Sequence, residues 1–107
     1  MRRLASVAAL ALLAACTVRP TAPEVAARAK ALGNQWAPLA AELRRAGWGA
    51  PPSGGPGLEN PDCLERALGG GLFGVDVARA CGAPDGTVAG VWRMHTHGRD
   101  WEQVVAP

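Results

Sequence analysis

Hydrophobic residues are spaced differently in successive stretches of this chain. Leu4 to Leu13 is a predominantly apolar run, well short of the roughly 20 residues a membrane-spanning helix needs. From Val25 the pattern becomes periodic. Val25, Ala29, Leu32, Trp36, Leu39, Leu43 and Ala46 recur every three or four residues, which places them in one stripe along a helix. Thr21-Ala22-Pro23-Glu24 has the form of a capping box that opens such a helix. Gly47-Trp48 suits a Schellman ending, with Trp48 folding back on Leu43. Pro38 interrupts the stripe: its ring opposes the carbonyl of Asn34, so a kink or break is expected between residues 33 and 38. Residues 49–57 are nearly all Gly and Pro, have no period, and read as a linker.

Beyond the linker the signals are shorter. Asn60-Pro61-Asp62 resembles a helix start, with Cys63, Leu64, Ala67 and Leu68 on the inner face and Gly69-Gly70-Gly71 as the stop. A second short helix is expected over Val75–Cys81, followed by Gly82 and Pro84. Asp85-Gly86 turns the chain, and Thr87–Met94 and Trp101–Val105 read as strands. The loop His95–Asp100 joins them as a hairpin. Val88, Trp92 and Met94 are expected to share the buried face, opposite Trp101, Gln103 and Val105 or their neighbours, with the register open because Val91 and Trp92 are adjacent. The fold class is α+β: a kinked amphipathic helical segment over 21–48, the linker 49–57, and over 58–107 a small module of two short helices and a β-hairpin.

Charge changes the picture at the N-terminus. Arg2 and Arg3 precede the apolar run, and Ala14-Ala15 closes it with small residues, the order of a secretory signal over residues 1–15. Leu13-Ala14-Ala15-Cys16 resembles the lipobox of bacterial lipoproteins. That resemblance implies cleavage before Cys16, acylation of its thiol (palmitate among the acyl chains) and a tether over 16–20. It also implies an address in the cell envelope, with Thr17 after the Cys favouring the outer membrane, facing the periplasm, over the inner membrane. Of eleven Lys/Arg, Arg2 and Arg3 would leave with the signal, so nine basic residues face nine acidic ones. The remaining chain has no Lys/Arg cluster to neutralise phosphates, and nucleic acid is not expected as a partner. A coiled coil of the murein-lipoprotein kind is rejected, since Pro38 interrupts its three heptads and the sequence ends in Ala106-Pro107 rather than Lys.

With Cys16 assigned to the anchor, Cys63 and Cys81 remain, an even pair that reads as a disulfide in an exported chain. Two free thiols are the alternative. A metal site built on them lacks the close Cys-x-x-Cys spacing.

Three runs, Cys81-Gly82-Ala83-Pro84-Asp85, Val91-Trp92-Arg93 and Trp101-Glu102-Gln103-Val104-Val105, are similar to the C-terminal part of the small outer-membrane lipoproteins of the SmpA/OmlA type. The likeness spans roughly residues 62–105. It implies two short helices ending in a Gly-x-Pro turn, then a meander with a Trp on its first strand, and a role as an accessory of outer-membrane assembly. The third strand of that meander is missing here, and Gly69–Gly74 replaces the usual start of the second helix.

Candidate chemistry is sparse. His95 and His97 alternate, so in extended chain both imidazoles face one way and could hold Zn²⁺ or Cu²⁺, with Asp100 or Glu102 completing the set. The alternative is a solvated hairpin tip. Ser53, the one Ser after Cys16, lies in the linker, and no P-loop, dinucleotide fingerprint or paired carboxylates appear. An enzyme is not expected, and no cofactor is implied. Trp92 and Trp101 are the candidate partner-binding residues, because two indoles on a small hairpin need either a core or a partner. The favoured reading is a lipid-anchored structural or protein-interaction module; the alternative is a small periplasmic metal-binding lipoprotein using His95 and His97.

Overall fold

The computed structural model describes residues 21–52, 54–68, 76–95 and 100–105. The apolar run at Leu4–Leu13, Cys16, Ser53 and His97 lie outside these residues. Two helices, α1 (Ala22–Ala31) and α2 (Trp36–Arg45), precede a four-stranded antiparallel sheet of β1 (Asp62–Leu68), β2 (Asp76–Gly82), β3 (Val88–His95) and β4 (Trp101–Val105). The strands follow in sequence order as a meander. Both helices pack on one face, α1 towards β3 and β4, α2 towards β1 and β2.

Local chemistry explains the helix ends. The Thr21 hydroxyl accepts from Glu24 N at 3.4 Å and donates to its carboxylate at 3.2 Å. At the end of α1, Asn34 N donates to Ala29 O and Gly33 N to Lys30 O, a Schellman pair with Gly33 at φ +68°. At the end of α2, Trp48 N donates to Leu43 O and Gly47 N to Arg44 O, with Gly47 at φ +92°. The break therefore falls at residues 32–35. Pro38 sits in the first turn of α2, where its missing N–H is not needed and it causes no kink. The expected stripe survives the break: Val25, Ala29, Trp36, Leu39 and Leu43 are buried, with Leu32 and Ala46 packed against them. Arg28 on α1 donates to both carboxylate oxygens of Glu42 on α2. Those hydrogen bonds hold the Glu42 carboxyl below the ordinary glutamate range.

Two short helices are expected from Pro61 and over Val75–Cys81; the described residues there, Asp62–Leu68 and Asp76–Gly82, are strands. Leu, Glu, Arg and Ala favour helix locally, but seven residues supply little propensity, and the pairing Cys63↔Cys81, Leu64↔Ala80, Glu65↔Arg79 overrides it. In β2 the residues from Ala78 to Gly82 are all buried because both faces are covered, so no alternation marks the strand. The β3–β4 hairpin falls where the sequence places it. Its open register resolves as a bulge: Val91 pairs with Val105, Trp92 with Gln103, and the shift lies between Val91 and Trp92. Val91 thereby joins the helix-side core while Trp92 faces the other way.

Residues 49–57 do not hold two units apart. Gly49 exchanges both backbone hydrogen bonds with Glu65 on β1. The corner between the helices is tied to the β2–β3 turn, Trp36 N to Gly86 O and Val88 N to Asn34 O. Helices and sheet share one core, in which Val25, Leu39 and Leu43 meet Ala78, Ala80 and Val91.

Gly82 is where this core is tightest. A Cβ there would run into the indole of Trp36, whose Nε1 donates to Asp62 at 2.8 Å and is therefore fixed. Gly82→Ala is expected to destabilise the fold by about 1–3 kcal/mol through overpacking. A lower urea midpoint with an unchanged denaturant slope measures it; no change in midpoint contradicts the packing described.

Candidate functional site: the outer face of the sheet

The face turned away from the helices is built in rows, because strands in register align alternate side chains. Cys63, Cys81 and Gly90 form the first row, Glu65, Arg79, Trp92 and Gln103 the second, and Ala67, Val77, Met94 and Trp101 the third.

The first row holds the staple. Cys63 and Cys81 are directly opposed, with Cα atoms 4.1 Å apart, and are joined by a disulfide. Cys63 Sγ also lies 3.2 Å from Gly57 O; a bridged sulfur has no proton to donate, so this is a close contact only.

The second row holds a buried ion pair. Arg79 is 1% exposed. Its Nε and Nη2 both lie 2.8 Å from Glu65 Oε1, and Nη1 donates to Pro56 O at 2.8 Å. The guanidinium carbon sits 4.3 Å from the ring centroid of Trp101, a cation–π contact. The Gly/Pro segment folds over this row. A Cβ at Gly55 would lie 2.7 Å from Arg79 Nη1 and from Trp101 Nε1, and one at Gly57 2.7 Å from the Trp92 ring. Glycine is what lets the backbone come so close.

The third row stays partly open. Val77, Met94 and Trp101 are half-buried and Ala67 is exposed. The two tryptophans thus differ in their surroundings. Trp92 is packed between Gly57 and Gly90, and Trp101 leans on Arg79 at the margin of the open row.

For metal chemistry, His95 ends β3, but its side chain and all of His97 fall outside the described residues. Glu102 pairs with Arg93, on the opposite side of the sheet from Trp101. Among the described residues no group of three or more His, Cys, Asp or Glu is placed to hold a metal ion. No described helix is long and apolar enough to cross a membrane.

Glu65 and Arg79 are absent from the candidates drawn from sequence, because both segments read as helix. The signal was present: once Cys63 and Cys81 are opposed on antiparallel strands, the residue two after the first must face the residue two before the second. Comparisons with protein-family models, curated proteins and solved structures found no match.

Proposed function

We propose that this is an exported, lipid-anchored envelope protein with no enzymatic activity, which binds another protein through the outer face of its sheet. The observation that carries the interaction reading is the row Ala67, Val77, Met94, Trp101, an apolar line across all four strands that is left partly exposed beside a rigid disulfide. Apolar residues gathered in one row, rather than scattered, mark an interaction surface. The Cys63–Cys81 bridge supports export to an oxidising compartment. Leu13-Ala14-Ala15-Cys16 supports acylation at Cys16, and the SmpA/OmlA likeness supports an accessory role in outer-membrane assembly.

The test is a photo-cross-linking residue at Met94, used in cells producing the full chain. A discrete adduct is expected in the membrane fraction. Ala67→Glu should abolish it without changing the folded spectrum, since Ala67 is exposed. Cys16→Ala should release the protein from membranes and leave an uncleaved precursor. An adduct insensitive to Ala67→Glu removes the interaction face; a mature N-terminus other than residue 16 removes the anchor.

A further inference from the structure

The first row of the outer face has a roof. Gly57 lies over the Cys63–Cys81 bridge: its carbonyl oxygen is 3.2 Å from Cys63 Sγ, and a Cβ on it would come within 2.8 Å of Cys81 Sγ. The space around the bridge is closed elsewhere. The β1–β2 ladder fixes Cys63 opposite Cys81, and the β2–β3 ladder fixes Cys81 opposite Gly90. The room that a side chain at Gly90 would fill is taken by the Trp92 ring, 2.7 Å from where its Cβ would stand. Cys81 is fully buried and Cys63 half-buried. The roof itself is lightly fastened. Among the described residues, one hydrogen bond ties residues 54–57 to the sheet, from Arg79 Nη1 to Pro56 O at 2.8 Å. Their other contacts there are glycines lying against Arg79, Trp101 and Trp92.

We infer that the bridge is a redox latch on this strap, so that reduction lifts residues 54–57 off the second row and uncovers Arg79 and Trp101. A thiolate of an external dithiol attacks Cys63 Sγ, the half-buried sulfur. The S–S bond breaks and its electron pair leaves on Cys81, which takes a proton. The second thiolate of the dithiol then displaces Cys63 as a thiol, and the reductant departs as a cyclic disulfide. Two thiols now stand where one bond stood, and thiol sulfurs cannot approach as closely as bonded ones. The ladders hold both backbones, and the Trp92 ring bars the way towards β3. The sulfurs therefore press against Gly57. A strap tied by one hydrogen bond yields before a four-stranded sheet does. Its release changes the surface beside Ala67, Val77, Met94 and Trp101 and so regulates the binding proposed above. That consequence rests on the interaction reading; the movement of the strap does not.

The experiment compares the full chain, ¹⁵N-labelled and held in neutral detergent, before and after reduction with dithiothreitol. A soluble gadolinium chelate broadens the N–H signals that solvent reaches. Reduction should increase the broadening of the Gly57 amide and the Trp101 indole N–H by about twofold or more, while the Ala80 and Val91 amides stay sharp and in place. Cys63→Ala with Cys81→Ala removes both the bond and the sulfurs, so its strap should stay closed. Reduction of the unaltered chain decides the question even where that variant does not fold. The inference is overturned by unchanged Gly57 and Trp101 signals once thiol labelling shows both cysteines free. Loss of the Ala80 and Val91 signals along with them, or an open strap in the folded alanine variant, overturns it equally. Each of those results leaves the Met94 cross-link where it stands.

Discussion

Glu65→Ala should destabilise the protein by about 3–5 kcal/mol, the range for stranding one member of a buried ion pair. Arg79 is buried to 1% exposure, so its guanidinium depends on the Glu65 carboxylate beside it for a counter-charge. Without Glu65 it keeps one hydrogen bond to Pro56 O and the face of Trp101, neither of which neutralises it. Adding Arg79→Met should recover most of the loss, since an apolar side chain of similar length fills the space without a desolvation penalty. Urea unfolding of the two single variants and the double closes the cycle. Additive losses would mean that the two side chains do not act as a pair.

Cys63→Ser is the second large effect. The bridge joins residues 18 apart in sequence, and the chain-entropy model assigns a loop of that size about 3 kcal/mol, within the 2–5 kcal/mol usual for a native bridge in a small domain. In a domain whose total stability is on the order of 5–15 kcal/mol this is a large fraction. The loss should be matched by reduction of the unaltered protein, because both treatments leave the rest of the sheet in place. Thiol labelling under denaturing conditions supplies the control. Label at Cys63 and Cys81 before any reductant is added would show the bridge unformed.

The first half of the fold was legible because its signals are local and redundant. The stripe from Val25 to Ala46, the cap at Thr21 and the two glycines at residues 33 and 47 each specify the same helices, and the break at Gly33-Asn34 is chemically marked. The hairpin of β3 and β4 was legible from its β-branched and aromatic residues. β1 and β2 were not. Asp62–Leu68 is made of helix formers, and β2 is buried on both faces with Ala78 and Ala80 in place of the residues that favour strands. The 49–57 stretch misled in a different way. Its glycines serve close approach to Arg79, Trp101 and Trp92, and a composition typical of flexible linkers looks the same from sequence.

That misreading of two strands also concealed the site. On a helix, Glu65 and Arg79 are unremarkable surface charges; across a pair of strands held by Cys63–Cys81 they are forced together. The tryptophans were identified as residues that need either a core or a partner. Trp92 is largely enclosed by Gly57 and Gly90, and Trp101 borders the open row.

The meander order has a kinetic consequence. Each strand pairs only with its neighbour in sequence, so every ladder forms by closing a short loop, at little entropic expense and with no need to wait for distant chain. The tie of the helical corner to the β2–β3 turn, Asn34 with Val88, spans a far longer separation and closes afterwards. Cys63 and Cys81 therefore come into register inside the β1–β2 hairpin before the helices dock. Oxidation then captures an arrangement the backbone has already chosen.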